Sequence, residues 1–232
     1  MSSPAHSSIP SATPDVDYLP PPDTGLDVVF RDDTMVVVNK PSGLLSVPGR
    51  GEGRADCMVS RVCLRFEDAM IVHRLDMATS GLLVLARGEA IQRALSMAFQ
   101  DRRVSKRYVA LVHGLLKEDA GELDLPLVTD WPRRPMQMVC HERGKPSLTR
   151  YRVLARDVDR GLSRVELEPI TGRSHQLRVH MLAMGHPIAG DPLYGDATVQ
   201  QAYPRLMLHA CRIDMPHPMS GEMLSLSSPA PF

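Results

Sequence analysis

Short apolar runs, many of them β-branched, recur along almost the whole chain, and only two segments carry apolar residues at helical spacing. This imbalance limits the fold more than any other feature. Leu26–Phe30 and Met35–Asn39, split by Arg-Asp-Asp-Thr, read as a hairpin, and Leu82–Ala86 reads as a buried strand. Arg107–His113 alternates, with Tyr108, Ala110 and Val112 on one face, and Tyr151–Leu154, Arg164–Glu168, Leu206–Ala210 and Met223–Leu226 add further strands. Glu89–Arg102 presents Ile91, Leu95, Ala98 and Phe99 as one helical stripe. A second helix is expected after Ser174 as N-cap, with Leu177, Met181 and Met184 inward, Gly185 as its stop and Pro187 beyond. Many strands and few helices, without regular strand–helix–strand alternation, predict an α+β fold: a mixed, mainly antiparallel β-sheet core flanked by helices and loops.

Residues 1–23 hold six Pro and five Ser and cannot bury enough apolar surface to order themselves, so a disordered tail is expected over 1–24. From residue 25 to 232 nothing resembles a linker or a repeat, which predicts one domain. At 43% hydrophobic and 4% aromatic its core must be aliphatic, with the 14 methionines as gap-fillers.

The formal charge is zero, but setting aside Asp15, Asp17 and Asp23 of the tail leaves 27 basic against 24 acidic side chains. Nucleic acid is therefore permitted rather than announced. None of the four cysteines forms a C-x-x-C pair, and no segment looks like a membrane span or signal peptide, so a cytoplasmic protein is expected.

Four segments could carry chemistry. His73-Arg74-Leu75-Asp76-Met77-Ala78-Thr79-Ser80-Gly81 sets a carboxylate beside an arginine on a loop that feeds a buried strand. Taken alone, the block is more simply read as a loop salt bridge with a Thr-Ser-Gly turn. Thr171-Gly172-Arg173-Ser174-His175-Gln176-Leu177-Arg178-Val179-His180 lies at a helix N-terminus, where backbone N–H groups favour anions; the plain alternative is a capped helix with solvated arginines. His175 and His180 are not spaced as metal ligands on one helical face, and no metal is expected. Arg102, Arg103, Lys106 and Arg107 form the densest basic stretch, which would also suit a solvated helix end. Asn39-Lys40-Pro41-Ser42-Gly43-Leu44-Leu45-Ser46-Val47-Pro48-Gly49 is a Pro/Gly-punctuated loop without the G-K-[ST] of a phosphate loop.

The order of these blocks decides more than any one of them. NKPSGLLSVPG, HRLDMATSGLLVLAR, KRYVALVHG, GKPSLTRYRVL, ITGRSHQLRVHMLAMGHPIAGDPLYG and RLMLHA together resemble the RluA family of RNA pseudouridine synthases, over roughly residues 28–232. The unbroken HRLDxxTSG block is the most specific part. DWPRRP adds a likeness to a dual-specificity member that modifies large-subunit (23S) ribosomal RNA and tRNA anticodon stem-loops. Arg87 stands where many relatives have Lys, and the Pro/Ser tail has no counterpart.

The resemblance implies an isomerase that breaks the N1–C1′ bond of a uridine in RNA and joins C5 to C1′. It implies Asp76 as the catalytic carboxylate, Arg178 as its guanidinium partner, Tyr108 as the aromatic stacked on the target base and Arg74 as a contact to the flipped-out nucleotide. A carboxylate suits an oxocarbenium-like centre, as in glycoside hydrolysis, and a neighbouring cation favours its charged form. A bidentate Arg178 would orient it. Arg173, Arg102, Arg103, Lys106 and Arg107 are the expected phosphate contacts. No cofactor is expected, because the reaction is neither redox nor hydrolytic, and a monomer acting on RNA is expected. The same scaffold could instead serve as a catalytically silent RNA-binding module. A carboxylate-dependent glycosidase would need a second carboxylate that no residue near Asp76 clearly supplies.

Overall fold

The computed structural model describes residues 18–232; the disordered tail expected over residues 1–24 falls largely outside the described residues. From Tyr18 to the first strand the chain has no helix or strand, yet it is tied down. The Tyr18 hydroxyl donates to the Asp56 carbonyl (2.9 Å) and accepts from the Leu45 N–H (3.0 Å), and Arg61 donates to the Pro21 and Pro22 carbonyls.

The strands are β1 (Val28–Arg31), β2 (Met35–Lys40), β3 (Ala69–Ile71), β4 (Ser80–Arg87), β5 (Ser105–His113), β6 (Ala120–Asp124), β7 (Leu127–Thr129), β8 (Gln137–Val139), β9 (Leu148–Asp157), β10 (Leu162–Pro169), β11 (Leu208–Pro216) and β12 (Met223–Ser227). The helices are α1 (Met58–Cys63), α2 (Glu89–Gln100), α3 (Gln176–Ala183) and α4 (Ala197–Gln201). The main sheet runs β1-β2-β4-β11-β5-β10-β9-β6, with β12 on β11 and β3 on β4, while β7 and β8 form a separate hairpin. Among the described residues only the β4–β11 pairing is parallel, so the mixed, mainly antiparallel α+β core is as expected.

Side-chain alternation explains how the sheet is covered. In β2 and β4, Val36, Val38, Leu83 and Leu85 pack with Met58 and Val62 of α1. Their neighbours Met35, Val37, Leu82, Val84 and Ala86 pack with Leu95 and Ala98 of α2 on the opposite face. Both faces of this half are covered, which is why both strands read as unbroken apolar runs. In the other half only one face is covered: Ala110, Val112, Val165 and Leu167 pack with Leu177 and Met181 of α3. The open face carries charges instead, and Glu166 bridges Arg107 (2.9 Å) and Arg152 (3.1 Å) across three neighbouring strands.

Several local expectations shift for identifiable reasons. The second helix is preceded not by Ser174 as N-cap but by His175, in the left-handed region at φ 53° and with no side-chain cap. The ring of His175 is held elsewhere, as described below. The α2 helix ends at Gln100, and Arg102 turns the chain at φ 58°. The expected strand Leu206–Ala210 starts at Leu208 and continues to Pro216, because Arg212–Pro216 pairs with β12. The Tyr151–Leu154 run extends to Leu148–Asp157 along the long β10 partner. The short strands β3, β6, β7 and β8 and the helices α1 and α4 were not visible in the periodicity, being too short to show one.

Gly81 explains the Thr-Ser-Gly turn. It has φ 113° and lies where β4 meets β11, and a Cβ there would collide with the Ala210 backbone. Gly81→Ala combines left-handed strain with overpacking, so a loss of about 3 kcal/mol is expected. Thermal unfolding should then show a Tm lower by about 10 °C; an unchanged Tm would contradict this account.

Candidate active site

The loop between β3 and β4 carries Asp76 at its turn, where the Thr79 N–H donates to the Asp76 carbonyl (3.1 Å). Four residues of the 40–46 loop hold this turn from below. The Lys40 ammonium, fully buried, donates to the carbonyls of Pro41 (2.8 Å), Leu44 (2.7 Å) and Met77 (3.0 Å). The Ser42 hydroxyl donates to the Ala78 carbonyl (2.6 Å), and the Gly43 N–H to the Met77 carbonyl (2.9 Å). Ser46 donates to the Leu75 carbonyl and accepts the Leu75 N–H. The segment that the sequence left without a chemical role is therefore the clamp on the carboxylate loop. Burial pushes the Lys40 ammonium down to about 7, and the Asp76 charge nearby pulls it back up. Three carbonyl acceptors use three N–H bonds, which only the charged ammonium has.

His73 fixes the other side of the loop. Its Nε2 accepts the Val84 N–H (3.0 Å) and its ring stacks on Phe99 (4.6 Å between centroids). Burial, and secondarily the Lys106 charge, drive its basicity down to about 3, so it is neutral with its proton on Nδ1.

Asp76 meets the first turn of α3. Arg178 is 3% exposed, and its Nη1 lies 3.4 Å from Asp76 Oδ2. The bidentate fork expected on Asp76 is made instead to Asp191, with Nε to Oδ2 at 2.8 Å and Nη2 to Oδ1 at 2.7 Å. Asp191 also accepts the N–H groups of Leu193 and Tyr194. One guanidinium thus serves two carboxylates. Asp191 takes the geometry-setting fork, and Asp76 keeps 27% exposure with one guanidinium edge. The anion at this helix N-terminus is the protein's own Asp76.

His175 Nε2 lies 3.9 Å from the other carboxylate oxygen, Oδ1. Its Nδ1 is 2.7 Å from the Tyr194 hydroxyl, and the Tyr194 ring lies 4.9 Å from the Arg178 guanidinium carbon. Burial lowers the basicity of His175. The loop before α3 is braced by Gln176, whose Oε1 accepts from the Thr171 hydroxyl (2.7 Å) and the Arg173 N–H (3.0 Å).

Tyr108 of β5 is partly buried beside Ala210 and the core. Burial first, and then the nearby Asp76 carboxylate, push its phenol well above the ordinary range, so the hydroxyl stays protonated. Arg74 is exposed on the Asp76 loop and has no ion-pair partner among the described residues; Arg173 is likewise exposed. Lys106 reaches toward Gly172 with its Nζ 6.0 Å from the Phe99 ring centroid, between α2 and the Arg173 loop. Arg102 and Arg103 are exposed past the end of α2, with Arg103 3.7 Å from Asp101. Arg107 does not join this group: it points to the face opposite Tyr108 and is bound to Glu166. Among the described residues no cluster of His, Cys, Asp or Glu could hold a metal ion.

Sequence reasoning missed Asp191, Tyr194 and the role of His175. All three lie within the ITGRSHQLRVHMLAMGHPIAGDPLYG block, but no local spacing links Asp191 to Arg178. The DWPRRP segment forms a turn at the β7–β8 tip, where exposed Trp131 lies under the Arg134 guanidinium at 3.7 Å.

The family model for RNA pseudouridylate synthase matches residues 34–183. Among curated relatives, the dual-specificity RNA pseudouridine synthase RluA of Pasteurella multocida is 51% identical over 217 residues, covering 94% of this chain and 99% of its own. The protein of the same name from Escherichia coli K12 is 49% identical, over 93% of this chain and 98% of its own. Among solved structures, human RNA pseudouridylate synthase domain containing 1 superposes with TM-score 0.78 at 31% identity, over 92% of this chain and 87% of that one.

Lys40→Met removes the ammonium from the Pro41 and Leu44 carbonyls and leaves the Met77 carbonyl with only the Gly43 N–H, so an expected loss of about 3–5 kcal/mol follows from a broken buried charge network. Denaturant titration should show it as a lower midpoint. A parent-like midpoint would remove the clamp.

Proposed function

This chain belongs to the RNA pseudouridylate synthase family and is an isomerase of uridine in RNA; we propose that Asp76 is the carboxylate through which it acts. The observation that carries the proposal is the arrangement around that side chain. It is a partly exposed carboxylate on a clamped turn, held from one side by a buried guanidinium and flanked by a phenol that stays protonated.

The chemistry fits these groups. The N1–C1′ bond breaks, positive charge develops at C1′, and the carboxylate meets that charge. The detached uracil turns so that C5 faces C1′, the C5–C1′ bond forms, and the proton lost from C5 is balanced by one gained at N1. No atom is added or removed overall. Arg178, fixed by Asp191, aims Asp76. Tyr108 offers a ring face on which the base can turn, and its hydroxyl is a donor rather than a base.

A uridine must leave its stack to reach this carboxylate, at a cost of a few kcal/mol that is smaller in a loop than in a helix. We therefore assign loop uridines of structured RNA as targets. Large-subunit (23S) rRNA and tRNA anticodon stem-loops are proposed as the substrates, on the motif resemblance and on relatives named dual-specificity. Arg74, Arg173, Arg102, Arg103 and Lys106 are proposed to hold the phosphates. Arg107 has a weaker claim because Glu166 already occupies it. A cytoplasmic monomer remains part of this proposal.

Asp76→Ala is expected to abolish tritium release from C5-labelled uridine in RNA while RNA affinity stays within a few-fold of the parent. Normal release would refute the assignment. Tyr108→Phe should keep the stacking face and retain RNA affinity. RNA affinity should fall as salt rises, and Arg74→Ala or Arg173→Ala should each lower the log–log salt slope by roughly 0.7–0.9; slopes unchanged in both would take these residues out of phosphate contact.

A further inference from the structure

His175 holds a backbone conformation that side-chain-bearing residues avoid. Its φ of 53° opens α3 without any side-chain cap on the helix. A non-glycine residue in that region persists only where its surroundings over-determine it, and Asn would sit there with less strain than His. The ring explains the choice of residue. It lies edge-on to Tyr194, with centroids 5.5 Å apart at 87°, between the Tyr194 hydroxyl and the Asp76 carboxylate.

The protons in this arrangement can be assigned. The Tyr194 oxygen accepts the backbone N–H of Gln137 at 2.7 Å. Its own O–H then has one acceptor within reach among the described residues, His175 Nδ1 at 2.7 Å. If Nδ1 carried the proton instead, the Tyr194 oxygen would receive two donors and its buried O–H would have none. The bare Nε2 lone pair would also face the Asp76 oxygen. The arrangement that gives the Tyr194 hydroxyl and His175 Nδ1 their partners is Gln137 N–H to Tyr194 O–H to His175 Nδ1, which leaves the ring proton on Nε2, facing Asp76 Oδ1 from 3.9 Å.

We propose that His175 is a positioning residue for Asp76, a neutral imidazole facing the carboxylate whose Nε2–H tautomer is dictated by Tyr194. Arg178, in the first turn of α3, meets Oδ2 at 3.4 Å, and the Nε2–H dipole of His175, at the residue before the helix, faces Oδ1 from 3.9 Å. A second cation on Oδ1 would hold the carboxylate more tightly and make it less reactive toward C1′. A neutral imidazole orients it without that penalty. The charged and titratable groups facing the ring are Asp76, Arg178, Asp191 and Tyr194. This inference rests on the reading of Asp76 as the catalytic carboxylate.

Long-range proton–nitrogen NMR of histidine-labelled full-length protein reads the tautomer directly and needs no activity. His175 is expected as Nε2–H from pH 6 to 8, and an Nδ1–H form would overturn the proposal. Tyr194→Phe keeps the ring against Arg178 and removes only the hydroxyl. Without that O–H donor, Nδ1 is free to take a proton, so His175 charges at higher pH than in the parent. The acid limb of kcat should therefore move to higher pH, with kcat about tenfold lower at pH 6, within threefold at pH 8, and KM for RNA within twofold. A profile parallel to the parent's would overturn the proposal. His175→Asn tolerates the left-handed backbone but removes the ring facing Asp76, so it should lose kcat tenfold or more with KM for RNA within twofold; retained kcat would refute the role. If Asp76→Ala proved active, the underlying reading would fail, whereas the tautomer result would stand apart from it.

Discussion

A guanidinium taken out of water costs several kcal/mol unless its N–H groups and its charge are both answered, and Arg178 is almost completely buried. Asp191, equally buried, answers it with a two-pronged contact and is itself satisfied by two backbone N–H groups. This pairing anchors α3 to the loop that follows it and leaves one guanidinium edge pointing out. The edge is where Asp76 arrives. The carboxylate at the surface is thus positioned by an ion pair whose rigid half lies beneath it. Removing Asp191 would strip the fork and leave a buried charge with only Asp76 to meet it.

The opposite support is the 40–46 loop. Lys40 spends all three ammonium protons on backbone carbonyls, two in its own loop and one at Met77. Ser42, Gly43 and Ser46 repeat the contact at Ala78, Met77 and Leu75. Because β2 leads into one loop and β4 leaves the other, and β2 and β4 are paired, the sheet holds the two loops in register. Gly81 completes the geometry by letting β4 and β11 approach at the point where the Asp76 loop ends. Asp76 therefore sits on a loop with the positional precision of a strand end.

Much of this was legible before any coordinates. The apolar stripe Ile91, Leu95, Ala98, Phe99 lies on α2 as read, and the uninterrupted run Leu82–Ala86 is apolar on both sides because α1 and α2 cover both faces. Elsewhere a distant partner overrides a local signal. Ser174 had the right chemistry for an N-cap, but the ring of His175, held by Tyr194 nineteen residues on, pulls the helix start one residue later. Arg107 sat in a basic run that looked uniform, yet strand alternation sends it to the other face from Tyr108, where Glu166 takes it.

The class of fold and the apolar stripes of α2 and α3 follow from neighbouring residues alone. Periodicity, turn chemistry and an unbroken signature block are properties of neighbouring residues. How the side chains around Asp76 share charges and protons depends instead on packing between distant segments. Arg178 is 102 residues from Asp76 and 13 from Asp191, and which carboxylate receives the fork depends on where β4, α3 and the loop after it are packed. Likewise, the tautomer of His175 follows from a backbone N–H on β8, because a buried hydroxyl has one proton to give and must give it to the acceptor that the packing leaves open.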